Sequence, residues 1–237
     1  MLSYLLLVSV LVTVINADPV TFLKCKGDDD KCAKESTKAA IPIYTAGIPE
    51  FGVETLDPVF FKNIDSSSPT LKLLLDNVTV KGLRNCIAKK AQRDAKNSKL
   101  FLRIQCDATL DGHYVMSGRL LVLPIEGNGK VHVDLKKAVI DVNMDISDKQ
   151  GKDGKNHWTV KSWSHTYDLK DRSTVRFENL FNGNRVLGQA AEGVIAQSGN
   201  EIIREVGSPV IKTVVARVVD TIHHFFEAVP TEDLTLD

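Results

Sequence analysis

Four cysteines are the residues of this sequence that most directly predict chemistry: Cys25, Cys32, Cys86 and Cys106. An even number of cysteines in a secreted chain is typical of disulfides, and four cysteines allow three pairings. A zinc site is disfavoured, because the sequence has no Cys-x-x-Cys and no histidine pair at ligand spacing beside the cysteines. The simplest pairing is local, and it joins Cys25 to Cys32 and Cys86 to Cys106. The second bridge is then expected to join strands at residues 71–81 and 100–104 around a polar connection at residues 89–99.

Two other clusters contain residue types that bind metal ions. His223 and His224 are adjacent, and neighbouring residues on a helix point about 100° apart, so the pair is poorly placed to hold one ion. Asp28, Asp29 and Asp30 are potential calcium ligands, but the run lacks the glycine and the distal glutamate of a calcium-binding loop. We interpret the histidines as a solvated helix face and the aspartates as a helix start, and we expect no metal and no cofactor.

Catalytic signatures are absent from the sequence. It contains no Gly-x-Ser-x-Gly elbow, no phosphate-binding loop and no His-Glu-x-x-His motif. Lys plus Arg number 30, as do Asp plus Glu, so the net charge is zero. The balance and the lack of a basic block disfavour a nucleic-acid partner and charge-driven membrane attachment. We therefore expect a binding protein and not an enzyme.

The N-terminus has the pattern of a secretory signal peptide. Residues 1–16 contain no charged side chain, an apolar run occupies residues 5–14, and the small residue Ala17 precedes Asp18. The run is shorter than the roughly 20 apolar residues that a membrane span needs. We expect residues 1–17 to be a signal peptide and residues 18–237 to form a single domain without stable membrane insertion.

Two regions of the sequence have helical periodicity. Residues 28–44 form the first, where the aspartates can accept hydrogen bonds from free amides and Pro42 should limit the helix. In residues 187–226 apolar side chains recur three and four positions apart, which predicts one long or once-kinked helix with its break at residues 207–209. Its many Val and Ile residues are mediocre helix formers, so burial must supply much of its stability.

Alternating apolar and polar residues between these helices predict β-strands. The predicted strands are residues 71–81, 100–104, 113–125, 131–146, 157–169 and 173–177. Residues 111–112 and 127–129 have the composition of hairpin turns, and residues 149–156 that of a charged hairpin tip. Short connections predict antiparallel pairing, and long strands coil enough to wrap around a helix. The expected fold is α+β: a highly curved antiparallel β-sheet wrapped around a long C-terminal α-helix, with a short N-terminal helix.

A series of short motifs resembles insect takeout and juvenile hormone binding proteins. The motifs are Cys-x6-Cys at residues 25–32, Gly-Ile-Pro-Glu at 47–50, Leu-Asp-Pro at 56–58, Asn-Val-Thr-Val-Lys-Gly-Leu at 77–83, the segment 112–129, Leu-Phe-Asn-Gly-Asn-Arg-Val-Leu-Gly at 180–188 and Val-Pro-Thr-Glu-Asp-Leu at 229–234. Each motif is modest alone, whereas their order is specific and covers nearly the whole of residues 18–237.

The resemblance implies a protein secreted into haemolymph or another extracellular fluid that carries a small hydrophobic ligand, with juvenile hormone or a related terpenoid as the first candidate. Cys25–Cys32 matches the N-terminal disulfide of the family. Cys86 and Cys106 depart from the hormone carriers, whose second bridge lies further along the chain. A host-defence protein that binds microbial or dietary lipids is the alternative, although zero net charge disfavours phosphate-bearing headgroups. We expect a monomer.

The predicted binding site is an apolar cavity between the sheet and the helices. The N-terminal helix, tethered by its disulfide and bounded by Pro42 and Gly47, is the expected gate. Tyrosine and tryptophan side chains either fill the apolar face or reach a polar ligand atom. The predicted lining is Ile43, Tyr44, Phe51, Tyr114, Leu121, Trp163, Val218, Ile222 and Phe226. Asn77 opens an Asn-Val-Thr glycosylation acceptor in a predicted strand, so its side chain should face solvent.

Overall fold

The structure is a computed structural model that describes residues 22–237, so the predicted signal peptide lies outside the described residues. One sheet of seven strands forms the body of this part of the chain, and every pair in it is antiparallel. The strands are β1 (Val59–Asp65), β2 (Leu71–Lys81), β3 (Ile87–Asp94), β4 (Lys99–Leu120), β5 (Leu123–Gln150), β6 (Asn156–Leu169) and β7 (Thr174–Phe177). Their order is β1-β2-β4-β5-β6, with β3 paired to β4 and β7 paired to β5.

The two central strands are longer than the sequence predicted. β4 has 22 residues and β5 has 28, so the predicted turns at residues 111–112 and 127–129 are wrong. These segments face each other within the β4–β5 ladder, where Gly112 pairs with Val131 and Gly129 with Tyr114. A Cβ on Gly112 would lie 3.2 Å from the Asp76 carbonyl oxygen. The glycines there permit close backbone contacts between strands and do not reverse the chain.

The predicted sheet also lacked two strands. β1 lies at residues 59–65, for which the sequence analysis assigned no element, and β3 replaces part of the polar connection expected at residues 89–99. β3 buries Ala88 and Ala91 between exposed lysines, so its apolar face is only two alanines wide. Such a polar strand carries little of the hydrophobic alternation that identifies strands from sequence.

The N-terminal helix α1 (Asp30–Ala46) confirms the helix predicted at residues 28–44. The Asp29 carboxylate accepts a hydrogen bond from the Cys32 amide at 2.9 Å, as expected of a helix cap. The expectation that Pro42 limits the helix is wrong, because α1 continues for four further residues. Pro42 is exposed, and the turn beyond it is held by the buried Thr45, whose hydroxyl donates to the Ile41 carbonyl at 2.8 Å.

The C-terminal helical region has two breaks where the sequence predicted at most one. It consists of α2 (Arg185–Gln197), α3 (Gly199–Val206) and α4 (Ser208–Ala228). The break at Gly207 was predicted, whereas the break at Ser198 was not. There the chain is tied to the segment before β7, because the Ser173 amide donates to the Asn200 side chain at 2.9 Å. α4 provides the long helix against which the curved sheet packs.

Both predicted disulfides are confirmed. Cys25–Cys32 links the segment before α1 to its first turn, with a Cα separation of 5.7 Å. Cys86–Cys106 links the residue preceding β3 to β4, with a Cα separation of 4.4 Å. The second bridge was expected to join β2 to the strand at residues 100–104, but β3 itself is the neighbour of that strand. It therefore closes the hairpin formed by β3 and β4.

The core divides into two clusters along the length of the sheet. The first, which we call the α3 end, lies between α2, α3, β7 and the adjoining parts of β1, β2, β4 and β5, and includes Tyr114, Phe177 and Ile202. The second, the α1 end, lies between α1, α4, β6 and the other half of β5, and includes Trp158, Phe225 and Phe226. The two ends share one sheet, but they are covered by different helices.

Candidate functional site

An apolar cavity of about 340 Å³ lies at the α1 end, between α1, α4 and the sheet. Its volume falls within the roughly 300–1,000 Å³ of typical small-molecule sites. β4 contributes Leu100, Leu102 and Ile104, which alternate along the strand and therefore point to the same face. β5 contributes Ile140 and Val142 in the same way. The sheet wall is thus built by the period-two pattern of these two strands.

The helix α4 supplies the opposite wall with its β-branched stripe. Val214, Val215, Val218, Val219 and Ile222 all line the cavity. Their spacing of one, three and four residues places them on adjacent rows of one helix face. The amphipathic pattern that predicted this helix therefore also forms half of the cavity.

Small side chains on α1 explain why space remains between these walls. Ala33, Ser36, Thr37 and Ala40 line the cavity at three- and four-residue intervals. α1 packs along β3, and its short side chains cannot reach across to α4. A helix that places alanine, serine and threonine toward an apolar core leaves a volume that larger residues would otherwise fill.

Aromatic rings close one end of the cavity. The Phe225 ring is met edge-on by Phe22, Tyr44 and Phe51, with ring centroids 5.0, 5.6 and 5.6 Å away. Trp158 meets Phe226 in the same manner at 5.3 Å. Edge-to-face pairs at these distances are favourable beyond their buried area. The cluster joins α1, α4 and β6 at the point where the cavity ends.

The Tyr44 hydroxyl is the polar group that connects the two helical walls. It donates a hydrogen bond of 2.6 Å to the Thr221 carbonyl oxygen on α4. Burial raises the pKa of the Tyr44 phenol above its ordinary value, so the hydroxyl keeps its proton. The contact fixes the end of α1 against α4, and it places the Tyr44 hydroxyl oxygen beside the apolar space.

A second cavity of about 130 Å³ lies next to the first, toward the α3 end. The two cavities share a wall formed by Leu83, Cys106, Ile140, Val214 and Val215. Cys106 belongs to the second disulfide, so that bridge is part of the boundary between them. No charged side chain is among the described residues that line the smaller cavity.

Four of the nine predicted ligand-binding residues line the larger cavity: Tyr44, Val218, Ile222 and Phe226. Three of the others lie near it but outside its lining. Ile43 is on the outer face of α1 with 37% of its surface exposed, and Phe51 packs against Phe225 from outside. Trp163 lies on β6 with its ring 5.7 Å from that of His165.

The remaining two, Tyr114 and Leu121, are at the α3 end and lie outside the lining of both cavities. Tyr114 is fully buried, its hydroxyl donates to the Glu178 carbonyl at 2.7 Å, and burial raises its pKa to about 12. Leu121 forms the turn between β4 and β5, where its amide donates to the Glu205 carboxylate at 3.0 Å. The structure therefore does not bring Tyr114 and Leu121 to the larger cavity with the other predicted residues.

Several lining residues were absent from the sequence prediction. The small residues of α1 have a helical period that would have identified them, had the inner face of that helix been considered. Arg93 and the disulfide Cys86–Cys106 also line the cavity, but nothing in their sequence context indicates this. Asn77 is exposed at a bulge in β2, so its side chain faces solvent as predicted, and its glycosylation stays a prediction.

The adjacent histidines lie on α4, and one of them takes part in the packing of that helix against β6. His223 accepts a hydrogen bond from the Val160 amide at 3.2 Å, while His224 is exposed. Within residues 22–237, no group of three or more His, Cys, Asp or Glu side chains is arranged to hold a metal ion. The helices of the same residues include none with the length and apolar character required to cross a bilayer.

The chain belongs to the haemolymph juvenile hormone binding protein family, which matches residues 4–236. Takeout 1 of Epiphyas postvittana, known from a crystal structure, is 28% identical and superimposes with a TM-score of 0.87, covering 91% of this chain and 100% of that chain. The circadian clock-controlled protein daywake of Drosophila melanogaster is 23% identical over 181 residues, which cover 71% of this chain and 69% of that protein. Its counterpart in Drosophila yakuba is 21% identical over 189 residues, which cover 75% and 72%.

These likenesses confirm the family and the fold that the sequence motifs predicted. The family is one of carriers of hydrophobic ligands. The curved antiparallel sheet and the C-terminal helices are shared with Takeout 1 over its whole length.

Proposed function

We propose that this protein is a secreted, monomeric carrier that encloses one small lipophilic molecule in the larger cavity, and that it is not an enzyme. The observation that supports this most directly is a cavity of about 340 Å³ whose walls are almost entirely apolar. Transfer of apolar surface from water into such a site contributes roughly 25 cal/mol per Å². A lipophilic ligand therefore needs few polar contacts to bind.

Juvenile hormone or a similar terpenoid is our first candidate for the ligand, with fatty molecules as the wider class. Membership of the juvenile hormone binding protein family supports a terpenoid hormone, and the apolar walls suit branched and linear chains. The Tyr44 hydroxyl is the polar group beside this space, and its oxygen can accept a hydrogen bond from a ligand while its proton is donated to the Thr221 carbonyl.

The helix α1 is the element that we propose opens the cavity. It covers the space on one side, and the disulfide Cys25–Cys32 holds its first turn. Its other end stops at Gly47, which has a φ of 90° that favours glycine. Between these points the Tyr44 hydrogen bond joins α1 to α4. Breaking that bond would let the helix move while both of its ends remain attached.

Export of the protein is supported by three features of the chain. Residues 1–17 have the pattern of a signal peptide. Four cysteines form two disulfides, which is typical of oxidising compartments. The Asn77 acceptor is exposed and therefore accessible to glycosylation. Haemolymph is the compartment that the family name indicates.

Native mass spectrometry combined with titration of methyl farnesoate, a terpenoid ester, tests the proposal. We expect one ester molecule per chain, displaced by unlabelled juvenile hormone. Val218→Phe should weaken binding by about tenfold or more, since it fills part of the cavity. The matched control is Val186→Phe, because Val186 is 78% exposed on α2 and remote from the lining.

Two results would contradict the carrier proposal. One is the absence of binding by any terpenoid or fatty molecule to the folded wild-type protein. The other is binding that Val218→Phe and Val186→Phe weaken equally, because that pattern would place the ligand outside the cavity.

A further inference from the structure

Two charged side chains are among the described residues that line the larger cavity, and both are cationic. Arg93 lies on β3, and Lys26 is exposed just before α1. No Asp or Glu side chain lines either cavity within residues 22–237. A ligand that is apolar throughout has no use for this excess of positive charge, whereas an anionic head group would be attracted by it.

The Arg93 guanidinium is held at the edge of the apolar space by contacts that leave part of it unpaired. Its central carbon lies 4.7 Å from the centroid of the Trp158 ring, which also lines the cavity. Its Nη1 donates to the Thr235 hydroxyl at 3.1 Å and to the Asp237 carboxylate at 2.6 Å. Its Nε is buried and has no hydrogen-bond partner among the described residues. A guanidinium remains charged at every physiological pH, so its terminal nitrogens attract an anionic acceptor that enters the cavity.

Asp237 already places a carboxylate on this guanidinium. Its other contact is with the Gly27 amide, which donates to it at 2.9 Å. Asp237 therefore joins the segment after α4 to the segment before α1, and the same two segments also pair through Leu236 and Cys25. The Asp237 side chain is 41% exposed, and ion pairs at such positions are weak. A second carboxylate can consequently compete for Arg93.

We propose that Arg93 binds the carboxylate of an amphipathic ligand whose apolar tail occupies the larger cavity, and that Asp237 leaves Arg93 when the ligand enters. The inference rests on the proposed carrier function and adds a preference within its ligand class, for acids over esters with the same apolar tail. The Nη1 donor that Asp237 now holds can pass to the ligand carboxylate, and such charge-assisted hydrogen bonds are stronger than neutral ones. An ester offers the same tail without the charge.

Calorimetric titration with farnesoic acid and with its methyl ester tests this inference, because the two probes differ only at the head group. We expect the wild-type protein to bind the acid about tenfold or more tightly than the ester. Arg93→Gln should remove this preference by weakening the acid and leaving the ester within about twofold. Asp237→Asn should strengthen acid binding by about two- to fivefold, the range of an exposed ion pair.

Arg103→Gln is the matched control. Arg103 also forms an ion pair with a carboxylate, at 2.6 Å from Asp141, but it lies outside the cavity lining. It should change the affinity for neither probe. If Arg93→Gln fails to fold, Asp237→Asn still tests the inference. A purely structural ion pair between Arg93 and Asp237 predicts that Asp237→Asn weakens acid binding or leaves it unchanged.

The outcomes separate this inference from the function on which it rests. Equal binding of acid and ester by the wild-type protein would overturn the role of Arg93 and leave the carrier function intact. Equal weakening of both probes by Arg93→Gln would do the same. If neither probe binds, the carrier function itself fails.

Discussion

The two ends of the molecule use the same sheet in different ways. At the α3 end the covering elements approach the sheet so closely that glycine is required. A Cβ on Gly199 of α3 would lie 2.9 Å from the Ser173 carbonyl carbon. Within the sheet, a Cβ on Gly127 of β5 would lie 2.5 Å from the Tyr114 hydroxyl. At the α1 end the covering helix lines the cavity with alanine, serine and threonine over most of its length, and its larger lining residues are Ile41 and Tyr44 near its end.

The difference shows how one fold encloses a cavity without losing its core. Glycine at the α3 end brings backbones together, so the side chains of that end interlock around Tyr114. At the α1 end, other contacts hold α1 at a fixed distance from the sheet and α4. Its small side chains do not fill that distance, so space remains. The packing at the α3 end is determined by how closely the backbones approach. The packing at the α1 end is determined by the length of the side chains.

The largest effect should come from a charge placed where the ends meet. Val215 on α4 lines both cavities and is 5% exposed, so Val215→Asp would bury a carboxylate without a partner. We expect a loss of about 3–5 kcal/mol in the free energy of unfolding, measured by chemical denaturation. Arg217→Gln is the control, because Arg217 forms a 3.0 Å ion pair with the exposed Glu54 and its loss should cost less than about 1 kcal/mol. If both variants unfold alike, the face of α4 that we assign to the core is wrong.

A smaller effect is expected from a single methyl group at the α3 end. Gly199→Ala should lower the free energy of unfolding by about 1–3 kcal/mol, since its Cβ would collide with the backbone of Ser173. Gly193→Ala on α2 is the matched control, because a Cβ there meets nothing within 4 Å and alanine favours the helix by up to about 1 kcal/mol. Thermal unfolding of the two variants should shift in opposite directions. A tolerated Gly199→Ala would remove the distinction between the two ends.

The sequence predicted the elements whose pattern follows from burial on one face. β2 was predicted at its observed bounds, and the tip between β5 and β6 was placed correctly, because both are flanked by polar, turn-forming residues. The turns at Gly112 and at residues 127–129 were wrong because glycine serves close backbone approach as well as reversal. The local sequence does not distinguish these uses, since the neighbour that requires the glycine is distant along the chain.

The candidate site was predictable to the extent that it lies on a helix. Val218, Ile222 and Phe226 share the stripe that predicted α4, and Tyr44 follows from the position of α1 in the order of elements. Arg93 was not predictable, because its place at the cavity depends on the register of a polar strand. The cavity exists because most α1 side chains that face it are too short to fill the distance to α4. That distance is set by the whole fold, so the sequence of one segment does not reveal the cavity.

An intermediate effect on stability should follow from loss of the link between α1 and α4. Tyr44→Phe removes the hydroxyl that donates to the Thr221 carbonyl and keeps the ring against Phe225. We expect a loss of about 1 kcal/mol in unfolding free energy. Because the contact is the proposed latch of the gate, we also expect faster ligand association and dissociation in stopped-flow measurements. Thr37→Ser on the same helix face keeps its hydroxyl and serves as the control. Unchanged rates in Tyr44→Phe would exclude the latch.

The smallest effect on stability should accompany a large effect on binding. Ala40→Leu adds volume on the inner face of α1, where the cavity can accommodate it, so we expect the free energy of unfolding to change by less than about 1 kcal/mol or to increase slightly. The affinity for methyl farnesoate should fall by about tenfold or more, since the added side chain occupies space that the ligand needs. Ala39→Leu is the neighbouring control, because Ala39 is exposed and outside the lining. A strongly destabilised Ala40→Leu would mean that the α1 end is as tightly packed as the α3 end, and the contrast between them would fail.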